Sequence, residues 1–263
     1  MFGKLLKNEL LSNIKLIGIV CAIILGIGIL CKILFAIELN GDLAIVILIA
    51  LGLAIIAAYV LTIIHIFNTF SRNTFGDRGY VTFQIPVSSH ELIWSKVLGA
   101  LIFLALCGVC TFIAVILVAE GLAAYIDPSL IEGVVGNLLS AQFSLSGIIE
   151  TFIQYFYNLQ TLMSVAVIFT ILNIGKFKGN KTVLAIALYL GLAFVNSTIV
   201  SIFDPINLGL ALTVDSILIE PMETLYQLGL SYYSIFDMIL AAVEIVGFYF
   251  LSVYLLDTQL ELE

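Results

Sequence analysis

Six long apolar stretches constrain this chain more than any other feature. They lie near Leu16–Ala36, Leu43–Phe67, Val97–Val118, Ile148–Ile174, Val183–Phe203 and Ile235–Leu256. Each supplies the ~20 apolar residues that a helix needs to cross ~30 Å of hydrocarbon. The chain has 263 residues, 62% of them hydrophobic and only 11% charged, with a mean hydropathy of +1.20. A soluble domain is about 45–50% apolar, so no water-soluble fold has room for this excess. The expected fold class is all-α integral membrane, with six transmembrane helices in a single domain spanning 1–263.

Residues 1–15 carry a different pattern. Phe2, Leu5, Leu6, Leu10 and Ile14 recur at helical spacing, while Lys4, Lys7, Asn8, Ser12 and Lys15 take the other side. This predicts an amphipathic helix lying in the headgroup region, or else an N-terminal extension of the first span. Met1–Lys15 is too long and mixed for a signal-peptide n-region, and no small-residue cleavage site follows it, so no cleavable signal is expected.

Orientation follows from the basic residues. Lys4, Lys7 and Lys15 precede the first span. Arg72, Arg78 and Lys96 separate the second from the third, and Lys176, Lys178 and Lys181 separate the fourth from the fifth. Of the ten cations, only Lys32 falls elsewhere, inside the first span. The opposite connections carry acids and no cation. Both termini are therefore expected in the cytoplasm, with the protein a multi-pass resident of the cell membrane. Two outer segments, Glu120–Gly147 and Asp204–Ser234, are too apolar to be free loops, and they read as short extracellular helices.

Most catalytic chemistry is not encoded. A phosphate-binding loop ending in Gly-Lys-Ser or Gly-Lys-Thr is missing from the sequence, as are His-Glu-x-x-His and Gly-x-Ser-x-Gly. The two histidines, His65 and His90, have no neighbouring second ligand in sequence. Cys107-Gly-Val-Cys110 has the spacing of a redox pair, but it lies within an apolar run without a polar partner and reads as helix packing. Asn196-Ser197-Thr198 fits a glycosylation pattern but falls inside the fifth span. Nothing points to nucleic acid, a metal or a cofactor held by this chain.

The polar stretch Ser71–Lys96 stands apart. It carries three cations, Arg72, Arg78 and Lys96, and two anions, Asp77 and Glu91. Gly76 and Gly79 permit a sharp turn. Tyr80–Ile85 is aromatic and β-branched, and Pro86 stops what precedes it. Ser88 and Glu91 have capping-box spacing, which predicts a helix start there. Trp94 falls at an interfacial aromatic position, and Lys96 is placed to reach the headgroups. A bare connection needs only a few residues. Tyr80 and Phe83 in a solvent-facing loop read as a docking surface.

Phe75-Gly76-Asp77-Arg78-Gly79-Tyr80-Val81-Thr82-Phe83-Gln84-Ile85-Pro86-Val87-Ser88, followed by Lys96, resembles the corresponding loop of bacterial type 2 ABC-transporter permeases. The nearest likeness is to the small Gram-positive permeases of peptide and antibiotic efflux. That family usually has two acids before the Gly-Tyr; Asp77 matches and Arg78 does not. The resemblance implies that residues 68–95 form a cytoplasmic coupling loop. Phe75, Asp77, Arg78, Gly79, Tyr80, Phe83 and Pro86 would then dock into a separate ATP-binding subunit. It also implies a second copy of the chain or a related permease across a central path, with ATP and magnesium held by the partner ATPase and the cargo exported. An amphipathic or hydrophobic compound, such as a peptide, suits spans with so few internal charges.

Two charges fall inside spans, Lys32 in the first and Glu244 in the sixth. Counted at 1.5 Å per residue from the cytoplasmic side, Lys32 lies about 24 Å up and Glu244 about 18 Å up. Intramembrane charges are rare and usually paired or functional, so a Lys32–Glu244 pair is expected, or Glu244 facing a polar cavity. The plain alternative has Lys32 snorkelling outward and Glu244 protonated or bonded to a neighbouring helix. Two other functional classes stand beside the exporter. One is a proton-coupled secondary transporter using Glu244. The other is an anchor or sensor whose loop recruits a soluble partner.

Overall fold

The computed structural model describes residues 2–37, helical positions scattered through 46–67, and residues 88–126, 131–174, 181–203, 208–212, 217–221 and 232–260. The elements in chain order are α1 (Phe2–Ala36), α2 (Ser89–Ile126), α3 (Ile131–Phe143), α4 (Leu145–Ile174), α5 (Lys181–Phe203), β1 (Leu208–Leu212), β2 (Ile217–Pro221), β3 (Tyr232–Ser234) and α6 (Ile235–Leu260). Among the described residues five helices, α1, α2, α4, α5 and α6, are long and apolar enough to cross a membrane. They coincide with five of the six apolar stretches. The remaining stretch, near 43–67, lies largely outside the described residues.

The expectation of a separate helix over residues 1–15 is corrected. α1 runs without a break through Lys15 and Leu16. Nothing there interrupts the hydrogen-bond ladder, and Asn13 Nδ2 donates to the Glu9 carbonyl at 3.1 Å. At 1.5 Å per residue the 35-residue helix is about 52 Å long, well beyond the hydrocarbon thickness. The first outer segment also begins later than hydropathy indicates. α2 continues through Glu120 to Ile126, and the 13-residue α3 follows.

The described residues of the second outer segment form strands rather than the expected helices. β1 pairs antiparallel with β2, Leu208 opposite Pro221 and Leu212 opposite Ile217. It also pairs antiparallel with β3, Ala211 opposite Tyr232, giving the order β2-β1-β3. Pro205 and Pro221 discourage a helix, and Pro221 lies on an edge strand, where its missing N–H is tolerated. The central strand β1 pairs its backbone with a neighbour on each side, and β2 and β3 are the edges of the sheet. Ala211 on the central strand is fully buried.

Three helices start on the same device. Ser88 Oγ accepts from the Glu91 N–H at 3.3 Å, Ser144 Oγ from Gly147 at 3.1 Å, and Ser234 Oγ from Asp237 at 3.3 Å. Each serine thus satisfies an amide that the helix leaves orphaned. The start expected at Ser88 is where α2 begins.

The chain divides into two compact units. One comprises Met1–Gly3, Phe67–Val97 and Ser144–Glu263; the other comprises Lys4–Ile66 and Leu98–Phe143. In the second unit α1 and α2 pack in the same direction. Leu6 and Glu9 lie against Gly99, Gly28 against Ala114, and Lys32 and Phe35 against Gly121. The free cysteines Cys21, Cys107 and Cys110 fill this seam with Val20, Ile24 and Ala114, which is the packing role expected of them.

In the first unit α4 and α6 also run in the same direction. Glu150 pairs with Tyr233 and Gln160 with Glu244. α4 has the largest buried share of the five candidate spans. Its core positions include Leu162, Met163, Val165 and Phe169.

Candidate functional site

Phe75, Asp77, Arg78, Gly79, Tyr80, Phe83 and Pro86 all lie outside the described residues. What the structure places is the chain on either side of them. On the N-terminal side Phe67 is 2% exposed. Its ring meets Phe169 of α4 and Tyr189 of α5 edge-on, each with centroids 5.9 Å apart. On the C-terminal side the first turns of α2 are fastened to α6. Ser89 Oγ donates to Asp257 Oδ1 at 2.5 Å. His90 Nδ1 and the Tyr249 hydroxyl lie 2.6 Å apart. Trp94 packs on the Tyr249 ring at 5.7 Å.

Asp257 lies near the C-terminus of its own helix, where the dipole disfavours an anion. Its carboxylate instead faces the N-terminus of α2, where the dipole favours one. Lys96 differs from expectation. It is 6% exposed, enclosed by protein rather than extended to headgroups. The opening turns of α2 are packed on several sides, with Leu92, Ile93, Ser95 and Val97 buried as well.

Phe67 meets Phe169 near the C-terminal end of α4, and Ser89 meets Asp257 near the C-terminal end of α6. Because α4 and α6 run in the same direction, both flanks of residues 68–87 sit at one end of this unit. α4 ends at Ile174 at that end too. β3, Glu150 and the Phe203–Phe236 ring pair mark the other end.

Between the two ends the α4–α6 interface carries a line of polar pairs. Tyr233 O–H donates to Glu150 Oε1 at 3.2 Å. Burial, and then the Glu150 carboxylate, hold that phenol's proton above the ordinary tyrosine range, so it remains a donor. The Tyr157 hydroxyl is bonded to Asp237. Gln160 Nε2 donates to Glu244 Oε2 at 2.5 Å. Each carboxyl thus meets a neutral donor from the facing element. A carboxyl without a partner in hydrocarbon is costly, and the Gln160 amide supplies Glu244 with a donor from the neighbouring helix.

Sequence reasoning singled out Glu244 but missed Tyr157 and Gln160. Their three-residue spacing, which puts both on one helix face, was the available signal. The expected Lys32–Glu244 pair is corrected, because each residue has another partner. Lys32 Nζ lies 2.5 Å from Glu120 Oε2, while Glu244 takes the bond from a neighbouring helix that the plain alternative described. Lys32 and Glu120 neutralise one another, and removing either strands a charge. We expect Lys32→Glu and Glu120→Lys each to lower the thermal midpoint of the detergent-purified chain. The double exchange should recover most of the loss. Additive losses in the double variant would mean that the pair contributes nothing.

No family model matches the chain, and no curated protein or solved structure is significantly similar to it.

Proposed function

We propose that the chain is the membrane-embedded permease subunit of an ATP-driven exporter, similar to the type 2 ABC permeases. In this reading the cytoplasmic coupling loop of residues 68–95 docks on a separate ATP-binding subunit through residues 68–87, and the opening turns of α2 fasten its end to α6. Both termini share that side, and a second copy or a related permease completes a path for an amphipathic compound such as a peptide. The observation that carries the reading is the anchoring of residues 68–87. The chain buries a phenylalanine just before them and fastens a helix start just after them. A simple connection has no need of such rigid footings, whereas a segment that receives force from a partner does. The grouping of nine of the ten cations on alternate connections supports a cytoplasmic side for the same end.

In this account the permease holds no nucleotide. ATP acts through the partner, by its different affinity for two states of the complex. The test is co-purification with an ATP-binding subunit, followed by reconstitution in proteoliposomes. Transport should require both subunits and ATP, and the isolated chain should hydrolyse none. Uptake or efflux by the isolated chain under a proton gradient alone would replace this reading with the second one. That second reading, a proton-coupled carrier, is favoured by one observation: Glu244 meets an amide and can exchange a proton without breaking an ion pair.

A further inference from the structure

The first four turns of α1 divide into two faces. Leu6 and Glu9 lie against Gly99 of α2, and Asn13 beside them is buried. On the other face Lys4, Lys7, Asn8, Leu11, Ser12 and Lys15 are all exposed. Their alternating steps of three and one residues put them in a single row along the helix. The row holds three of the four lysines of α1 and no acid. Glu9, the single acid of α1, is turned away from it, its carboxylate accepting from Asn13 Nδ2 at 3.5 Å.

Past Lys15 the same row continues through Gly18 and Ala22, small residues that are also exposed. Nothing lies within 4 Å of the place where a Gly18 side chain would begin. Ile14 stands exposed on one side of this row, and Ile19 and Ile23 on the other. A basic strip thus runs directly into a shallow apolar groove.

We propose that this face of α1 binds an anionic phospholipid of the phosphatidylglycerol class, with the headgroup phosphate among Lys7, Asn8 and Lys15 and an acyl chain along Gly18 and Ala22. The proposal needs α1 to cross the bilayer and does not depend on the exporter reading.

The length of α1 puts the basic row at the level of the headgroups. Lys32, paired with Glu120, marks one boundary of the hydrocarbon, because charge is costly within it. Counting back ~30 Å at about 1.5 Å per residue brings the other boundary to Ser12. A headgroup layer is roughly 5–7 Å thick, which takes in Asn8 and Lys7. Lys15 lies about one turn inside and reaches the same layer by extending its stem. Gly18 and Ala22 fall at acyl-chain depth. The charge calls for an anion. The change from basic to apolar along one face matches a phospholipid, whereas a soluble acidic surface has no apolar tail to lay at Gly18.

The test uses the full chain, extracted from nanodiscs made of equal parts phosphatidylcholine and phosphatidylglycerol, with the retained lipids counted by native mass spectrometry. The parent should keep phosphatidylglycerol in preference to phosphatidylcholine. A lysine near the surface contributes roughly a fivefold preference for an anionic lipid. Lys7→Gln with Lys15→Gln should therefore lower the preference by about twenty-fold or more. Lys7→Arg with Lys15→Arg should keep it. Gly18→Leu, which fills the groove and leaves the charge alone, should also release the lipid. All these positions are exposed, so the variants should melt as the parent does.

Equal retention of the two lipids by the parent would overturn the proposal and leave the face to a soluble acidic partner. Preference that survives the double glutamine variant would overturn it too. A preference lost with the lysines but untouched by Gly18→Leu would mean diffuse attraction to the leaflet, with no lipid site on α1. If the glutamine variant does not fold, salt added to the parent gives the same reading. The preference should weaken as screening grows, and a preference indifferent to salt would sink the role given to the lysines.

Discussion

On the proposed exporter reading, replacing Tyr80 and Phe83 together by alanine is expected to abolish capture of an ATP-binding subunit while leaving the chain folded and in the membrane. The argument starts from where these side chains sit in the chain. They lie between two footings that the structure does describe, Phe67 and the Ser88–Trp94 turn, so the segment has fixed ends. A polar connection gains nothing from two aromatic residues unless their rings are covered by something. Buried aromatics at the centre of an interface typically cost ~2 kcal/mol or more each on truncation. Two of them amount to a loss of affinity on the order of several hundredfold. Both fall in the polar stretch between two apolar runs rather than within either run. The thermal midpoint of the isolated permease should therefore stay within a degree or two of the parent, as for surface changes generally. Arg78→Ala, at the rim, should cost less and grow milder with added salt, since exposed charge pairs are screened. Retention of the ATPase by the double alanine variant would place the docking surface elsewhere and remove the main support for a coupling loop.

The membrane-spanning parts of the fold were legible because lipid makes a stringent demand. A run such as Val183–Phe203 has one outcome in hydrocarbon, and α5 covers those residues. The helix start at Ser88 was legible for a comparable reason, since a hydroxyl three residues before Glu91 satisfies a specific orphan amide. Hydropathy was a poorer guide to where helices stop. α2 passes the apolar limit near Val118 and continues through Ala-Glu-Gly-Leu-Ala-Ala-Tyr-Ile, because nothing there breaks a helix until Pro128. That overrun is what brings Glu120 to Lys32.

The strands of 208–234 were misread because short apolar runs carry no decisive periodicity. Leu-Gly-Leu-Ala-Leu suits either structure until its pairing partners are known. The partner of Glu244 was missed because the search looked for an opposite charge, and a neutral amide such as Gln160 leaves no mark in a charge count. The depth estimates for Lys32 and Glu244 place the two charges by height alone. Depth alone does not reveal which way a side chain faces.

Gly28→Leu is expected to destabilise the protein strongly, and Gly26→Leu, two residues away on the same helix, to leave it unharmed. A Cβ at Gly28 would meet the Ala114 Cα and Cβ at 3.0 Å and the Ala114 carbonyl oxygen at 3.3 Å. Most of that obstacle is backbone, which cannot rotate aside, so α1 and α2 must separate. Around Gly26 nothing lies within 4 Å, and leucine there relieves the helix of glycine's conformational cost, about 0.5–1 kcal/mol. In lipid, helix association depends on close backbone approach through small residues rather than on expulsion of water. A wedge at Gly28 therefore strikes the interaction that holds this unit together. Overpacking of a tight core costs roughly 1–3 kcal/mol, which for a chain of this size lowers the midpoint by up to about 10 °C. The damage should also spread along the seam. A Cβ at Gly121 on the other helix would meet Lys32 Cα at 3.0 Å, so the helices are close there too, and separating them should loosen the Lys32–Glu120 pair next to it. Leu at position 28 should accordingly make the Lys32→Glu exchange less harmful than it is in the parent, a non-additivity expected only of sites that share one interface. Equal melting of the two leucine variants would mean that α1 and α2 do not pack in this parallel register.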